Sequence, residues 1–326
     1  MEDQKKKRSS RLRQIAYLSV IFTCSIVTAS TLVWSVNTDP EKNNDNNYRE
    51  HVAENYKIYS LATPEGLDFA GERVPLEDVD IRERLDKELT INTYWHSATI
   101  FMIKRAHRWF PVMEKILKEE GVPEDFKYIA AIESNFDNVV SPAGASGYWQ
   151  FLKSTGQSYG LEVNGFVDER YDVEKATRAA CKYFKDAYKI LGNWTLVAAS
   201  YNMGTGGVKG KLTEQGVSNY YDLYLNSETH RYVFRVLAAK EIFRNPEFYG
   251  FNIRPKDLYE PYETQNVEVD STINSINEWA HQQNTNLKII KLLNPWLRDN
   301  SLPNKSHKKY SIKVPKNDFA LKPVAP

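Results

Sequence analysis

Cysteine is nearly absent. Among 326 residues only Cys24 and Cys181 occur, and Cys24 lies within an apolar run. The rest of the chain therefore has a single thiol and no internal disulfide, so covalent staples do not hold it together. Cys181, in AACKYF, reads as a small core residue. The six His are scattered, no pair stands at metal-ligand spacing, and two Cys make no cluster, so a metal site finds no support. No serine stands on a strand-to-helix elbow, which removes a Ser/His/Asp nucleophile. Gly210-Lys211 resembles the end of a phosphate loop, but Thr205 stands where the first glycine is needed, Leu212 replaces the metal-binding Ser/Thr, and no strand precedes them. No nucleotide is expected. A net charge of +1 gives no global reason to expect nucleic acid, and no internal repeat is evident. The chemistry is left to carboxylates, with no cofactor.

Long hydrophobic runs are also scarce, with one exception. Residues 1–14 are basic (Lys5, Lys6, Lys7, Arg8, Arg11, Arg13), and residues 15–36 carry no charge and are rich in Ile, Val, Leu and Ala. Such a run is long enough to cross a bilayer. A cleaved signal peptide and a retained anchor compete for it. Val27 and Ala29 would suit cleavage, while the length of the run favours the anchor. Cys24 as a lipid-attachment point is disfavoured, because Ile21-Phe22-Thr23 lacks small residues. By the positive-inside rule the basic start stays in the cytoplasm, and the chain beyond Val36 lies on the other side of the membrane.

Residues 37–88 read as a polar tether and transition, asparagine-rich at first. The stretch from Pro64 to Lys87 fits either a linker or a segment that wraps the next domain. Helical periodicity is expected from near Leu89, and residues 89–250 read as a mainly α domain. Within it, Phe110, Met113, Ile116 and Leu117 share a helix face that Gly121 stops. Asp172 is placed as the N-cap of a helix carrying Val173, Ala176, Ala180, Phe184 and Ala187. Another helix starts at Trp194 and ends at the glycines 204, 206 and 207. Residues 260–317 read as a small α+β module ordered strand, helix, helix, strand, with strands in NVEVD and YSIKV.

One carboxylate is out of place. If Pro123 opens a helix, Phe126, Ile129, Ala130 and Glu133 fall on one stripe, which puts a carboxyl on an apolar face. Desolvation disfavours the charged form, so such a group can hold a proton near neutral pH and donate it. The plain alternative is a buried Glu paired with an Arg or capping a helix end. Downstream, SPAGASGYWQF (141–151) combines small residues at Gly144, Ala145 and Gly147 with Ser141, the amide of Gln150, and aromatic surface from Tyr148, Trp149 and Phe151. That set suits a sugar, and equally an ordinary tight turn packed by aromatics. In ASYNMGTGG (199–207), Tyr201 and Asn202 either face a cleft or cap a helix end.

The order of segments discriminates further. Glu133-Ser134, SPAGASGYWQF, DERYD at 168–172, ASYNMG, and ETHRYVFRVL at 228–237 together resemble the lytic transglycosylases of the soluble-transglycosylase lineage, and most of all the membrane-bound lytic murein transglycosylase D group. The resemblance covers about residues 89–249. Tyr148-Trp149 departs from the Leu-Met of many relatives, as do Ser200 and Met203 from Ala. The tail, DSTINSINEWAHQQNTNLKIIKLLNPWL followed by KKYSIKVP, resembles a LysM module, although Asp270-Ser271-Thr272 stands where Gly-Asp is usual. Glycan binding and simple packing against the larger domain are both open for it.

This resemblance implies a lysozyme-like, mainly helical fold acting on peptidoglycan glycan strands in the bacterial envelope. The site would face the periplasm, and residues 15–36 would hold the chain in the inner membrane. It implies that Glu133 serves as acid and then base in cleaving the MurNAc-GlcNAc bond to 1,6-anhydromuramoyl ends. Ser141, Gln150, Tyr201, Asn202, Glu228 and Tyr232 would bind substrate. Asp137 and the DERYD acids are not required. The rival readings are a hydrolytic muramidase of the same fold and a non-catalytic wall-binding protein.

Overall fold

A computed structural model describes residues 45–47, 49–50 and 58–316. The basic start and the apolar run at 15–36 lie outside the described residues, and among the described residues no helix is long and apolar enough to cross a membrane. Residues 45–47 and 49–50 are helical and exposed. Residues 60–316 form one compact unit.

That unit begins earlier than the periodicity suggests. Strands β1 (Asp68–Phe69) and β2 (Glu72–Arg73) pair antiparallel across Ala70 and Gly71, both at positive φ, which is the geometry of a tight hairpin turn. Leu67, Phe69, Val74 and Leu76 are buried in the main core. The hairpin is pinned at its ends. The Lys240 ammonium bonds Asp68 and Asp125, the Asp125 carboxylate takes the Ala70 N–H, and Glu72 accepts from the backbone of Trp194 and Thr195. Of the two readings of residues 64–87, linker or wrap, the structure thus has the wrap. Its strands are only two residues long, too short to build up a period-two pattern.

Helix α1 (Val79–Tyr94) is capped by Asp78 and starts ten residues before the expected onset at Leu89. Its first turns are mostly charged, and only Ile81 and Leu85 mark the buried stripe there. Helix α2 (His96–Glu120) accommodates Pro111 and ends at Gly121 in a left-handed cap, as expected. Pro123 then leads into a 3-10 turn (Glu124–Phe126), so α3 (Lys127–Ser134) begins later than expected from Pro123.

After the short α4 (Lys153–Ser158), α5 (Val173–Leu191) is capped by Asp172, whose carboxylate accepts from the Glu174 and Lys175 N–H groups. The buried alanines of α5 let it lie close between α2 and α6 (Trp194–Met203). Cys181 is fully buried there, and desolvation pushes its thiol up to about 12, so it acts as an inert core residue. The glycines after α6 do not all act as stops. Gly204 ends that helix at positive φ, whereas Gly206 and Gly207 lie inside a further helix, α7 (Thr205–Gln215), where Gly207 lets Met203 approach. Helix α8 (Ser227–Arg244), capped by Asn226, is the buried axis against which α1, α3 and α6 pack.

The C-terminal module has the expected order. Strand β3 (Thr264–Val269), α9 (Ile276–Gln282), α10 (Leu287–Leu293) and β4 (Tyr310–Pro315) close as an antiparallel pair, Thr264 opposite Pro315 and Val269 opposite Tyr310. Its core of Ile273, Ile276, Ile290, Trp296, Leu302 and Ile312 also takes in Val167 and Tyr171 from the helical domain.

Candidate active site

Glu133 occupies the last turn of α3. Phe126, Ile129 and Ala130, its companions on the stripe, are fully buried. After Ser134, the last residue of that helix, Asn135 and Phe136 both adopt left-handed φ (52° and 53°), an uncommon conformation for such side chains that turns the chain sharply just past the carboxylate. Neighbours secure this turn. The Ser134 hydroxyl donates to the Ala130 and Tyr148 carbonyls and accepts from the Phe136 N–H, while the Arg105 guanidinium bonds the Asn135 carbonyl and pairs with Asp137 at 3.0 Å. Asp137 is thereby occupied and more than half exposed.

The Glu133 carboxyl is half-buried and pushed above the usual carboxylate range, chiefly by desolvation. The Tyr232 hydroxyl donates to its Oε1 at 2.5 Å and, with the charge of Arg235, pulls the other way; Glu228 adds to the upward push. The charge of Glu133 in turn raises the phenols of Tyr201 and Tyr232, both already raised by burial. Helices α3, α6 and α8 thus bring Glu133, Tyr201, Tyr232 and Glu228 into one electrostatic group. Asn202 joins it by donating to Glu228 at 3.1 Å and accepting from Thr229 at 2.7 Å.

Of the two readings open for the loop at 141–151, the structure has the tight turn packed by aromatics. Tyr148, Trp149 and Phe151 are core residues, 3%, 0% and 3% exposed, and so supply no aromatic surface. The Trp149 indole donates to Thr177 on α5, and the Tyr201 hydroxyl donates to the Trp149 carbonyl. A run of small residues followed by large ones left their direction open, and the non-local partners fix it inward. Ser141 closes a tight turn by accepting the Ala145 N–H. Gln150, itself at φ 49°, donates its amide to the Val139 and Gly147 carbonyls. Both polar candidates therefore shape the loop, Ser141 by a bond within it and Gln150 by bonds to Gly147 and to Val139 just before it.

Two cations went unnoticed in the sequence. Arg235, which bonds the Ile132 carbonyl at 3.0 Å, is three residues after Tyr232 on α8, so helical spacing could have flagged it. Arg170, buried against Asp168, reaches the Gly144 and Phe151 carbonyls, and no local pattern announces that contact.

Residues 110–223 match the transglycosylase SLT domain, and residues 265–318 match the soluble lytic transglycosylase C-terminal LysM-like domain. The chain carries a transglycosylase SLT domain. It is homologous to the membrane-bound lytic murein transglycosylase D of Escherichia coli (strain K12), with 31% identity over 198 residues, 58% of this chain and 43% of that protein. The same protein from Escherichia coli O6:H1 matches equally. The chain thus spans less than half the length of these relatives. Among solved structures, the 70 kDa soluble lytic transglycosylase of Escherichia coli is similar at 18% identity and a TM-score of 0.39, over 65% of this chain and 42% of that one. A lytic transglycosylase from Pseudomonas aeruginosa is similar at 20% and 0.34, over 46% and 26%. The SLT match contains Glu133 and the loop at 141–151, yet stops before α8, which supplies Tyr232, Arg235 and Glu228 to the site.

Proposed function

We propose that this protein is a lytic transglycosylase of peptidoglycan, with Glu133 acting first as acid and then as base. The observation that carries this reading is the desolvated Glu133 carboxyl receiving a single hydrogen bond from a buried tyrosine, within a matched SLT domain. A raised pKa lets Glu133 hold a proton and give it to the glycosidic oxygen between N-acetylmuramic acid and N-acetylglucosamine as the C1–O bond breaks. The muramoyl acetamido oxygen stabilises the oxocarbenium-like centre at C1. Glu133, now anionic and supported by the Tyr232 O–H and the Arg235 charge, takes the proton from the muramoyl 6-hydroxyl as that oxygen bonds to C1. The products are a free N-acetylglucosamine end and a 1,6-anhydromuramoyl end, with no water consumed.

In this reading Ser141 and Gln150 shape the saccharide-facing loop, and Tyr201, Asn202 and Glu228 flank the carboxyl. Residues 15–36 anchor the chain in the inner membrane with the site on the periplasmic side. One observation favours a second reading: Glu228 is an exposed carboxylate that acts electrostatically on Glu133, and a hydrolytic muramidase could use it to activate water. The test is Glu133→Gln. Cleavage should fall about 10³-fold or more while the fold and wall binding persist; retained cleavage would remove Glu133 from the mechanism.

A further inference from the structure

Arg170 holds the loop at 141–151 from below. Its Nη1 donates to the carbonyls of both Gly144 and Phe151 at 3.0 Å, bridging the two sides of the loop. Its Nε and Nη2 grip the Asp168 carboxylate at 2.9 and 2.7 Å, and both side chains are about nine-tenths buried. Charge-assisted, bidentate bonds of this kind fix geometry as well as charge. The Arg170 backbone presses on the same loop, since a Cβ at Gly147 would come within 1.9 Å of the Arg170 carbonyl oxygen. The loop in turn touches the surroundings of Glu133, with the Tyr148 carbonyl on Ser134 and the Trp149 carbonyl on Tyr201.

The other side of the Arg170 segment belongs to the C-terminal module. The Asp168 N–H donates to the Trp296 carbonyl at 2.9 Å, the Arg298 N–H to the Phe166 carbonyl at 2.8 Å, and Val167 bridges Leu297. Val167 and Tyr171 are buried within the module core, and the Arg298 guanidinium lies 4.2 Å from the centre of the Tyr171 ring. Lys313 pairs with Glu174 at 2.6 Å, and Lys308 pairs with Glu162 and Glu169. Residues 162–174 are thus held between the module and the active-site loop.

We propose that the C-terminal module is a brace for the active-site loop, acting through Asp168 and Arg170 as positioning residues, and that it sets the rate of cleavage independently of any glycan the module itself binds. The kinetic part rests on the transglycosylase reading; the mechanical part does not. Module, Asp168, Arg170 and loop form one continuous chain of buried bonds ending beside Glu133. A small displacement there would matter, because catalytic geometry off by about 1 Å can cost ~10²-fold in rate.

The test uses the full chain, with hydrogen exchange and kinetics on a short soluble glycan. Two variants act at the ends of the path, Arg170→Lys at the loop and Trp296→Ala at the module. Both should raise amide exchange in residues 144–151 about tenfold or more while leaving the buried axis of α8 protected. Both should lower kcat about tenfold or more with KM within about threefold. The alkaline limb of the pH profile should also move to lower pH as Glu133, faced by Tyr232, Arg235 and Glu228 on α8 and by Tyr201 on α6, becomes better solvated. If Trp296→Ala melts the module, the double variant Lys308→Gln/Lys313→Gln, which cuts only the ion pairs, decides that arm. Unchanged exchange at 144–151 in the module variant overturns the brace. So does a rate loss that merely tracks the folded fraction with an unshifted profile. Absence of cleavage by the wild-type chain would contradict the transglycosylase reading alone, because the exchange result judges the brace separately.

Discussion

Glu133 is placed where its charge is costly, and that cost is the source of its proposed role. Burial raises its pKa in the folded chain above the unfolded value. Below the ordinary carboxyl range both states are protonated and folding bears no penalty. As pH rises toward the elevated folded pKa, the unfolded chain ionises first and the native state loses relative stability. Glu133→Gln, which keeps the shape and can still accept from Tyr232, should therefore melt higher than wild type at neutral pH, and the gap should close on acidification. Thermal melts across pH check this, and a gap that grows toward acid would contradict it. Tyr232→Phe removes the donor to Oε1. Since that bond holds the Glu133 pKa down, the alkaline limb of activity should move to higher pH and kcat should fall about tenfold or more. An unchanged pH–rate profile would show that the bond has no catalytic part. Glu133 was legible because a charged residue on an apolar helical stripe is a local anomaly. Tyr232 was legible only through the family resemblance. The inward rings of Tyr148 and Trp149 were one of two readings the sequence left open, because their direction is set by Ser134, Thr177 and Tyr201, which lie outside the loop.

At the level of elements, the site depends on how α3 ends and how the next loop returns. Two left-handed non-glycine residues after Glu133, a left-handed Gln150 and a glycine pressed on Arg170 are local costs that the surrounding packing must hold in place. Gly147→Ala would add a methyl 1.9 Å from a backbone oxygen at φ +77°. It should destabilise the chain by about 3 kcal/mol or more, read by denaturant melting, and a loss below about 1 kcal/mol would mean the loop is free to move away. Caps and stops were the readable part of the element plan. Asp172 and Gly121 act as their residue types predict, and the two module strands form in the segments expected. The hairpin at 68–73 escaped because its strands are too short to show a period, and the early turns of α1 because charge masks the stripe there. Gly206 and Gly207 misled because glycine inside a helix serves close packing as readily as it stops one, as the approach of Met203 to Gly207 shows.

Across the whole molecule, the helical domain and the module share buried residues, and Val167 and Tyr171 would lose their cover without the module. Deleting residues 266–326 should therefore slow turnover of short soluble glycans as much as it weakens sedimentation with insoluble walls; turnover left intact would make the module a detachable binder. The mainly helical class and the appended strand, helix, helix, strand module could be read from periodicity, but their joining could not, because it runs through backbone bonds at Phe166, Asp168, Trp296 and Arg298 and through ion pairs and buried contacts between residues more than a hundred positions apart, which no local pattern encodes. The most direct test of the central claim is mass spectrometry of the products when the segment from Asn37 onward meets purified peptidoglycan, alongside Glu133→Gln. Anhydromuramoyl ends that vanish in the variant are the predicted result. Reducing muramoyl ends from the wild-type chain would contradict it and turn attention to Glu228 and water.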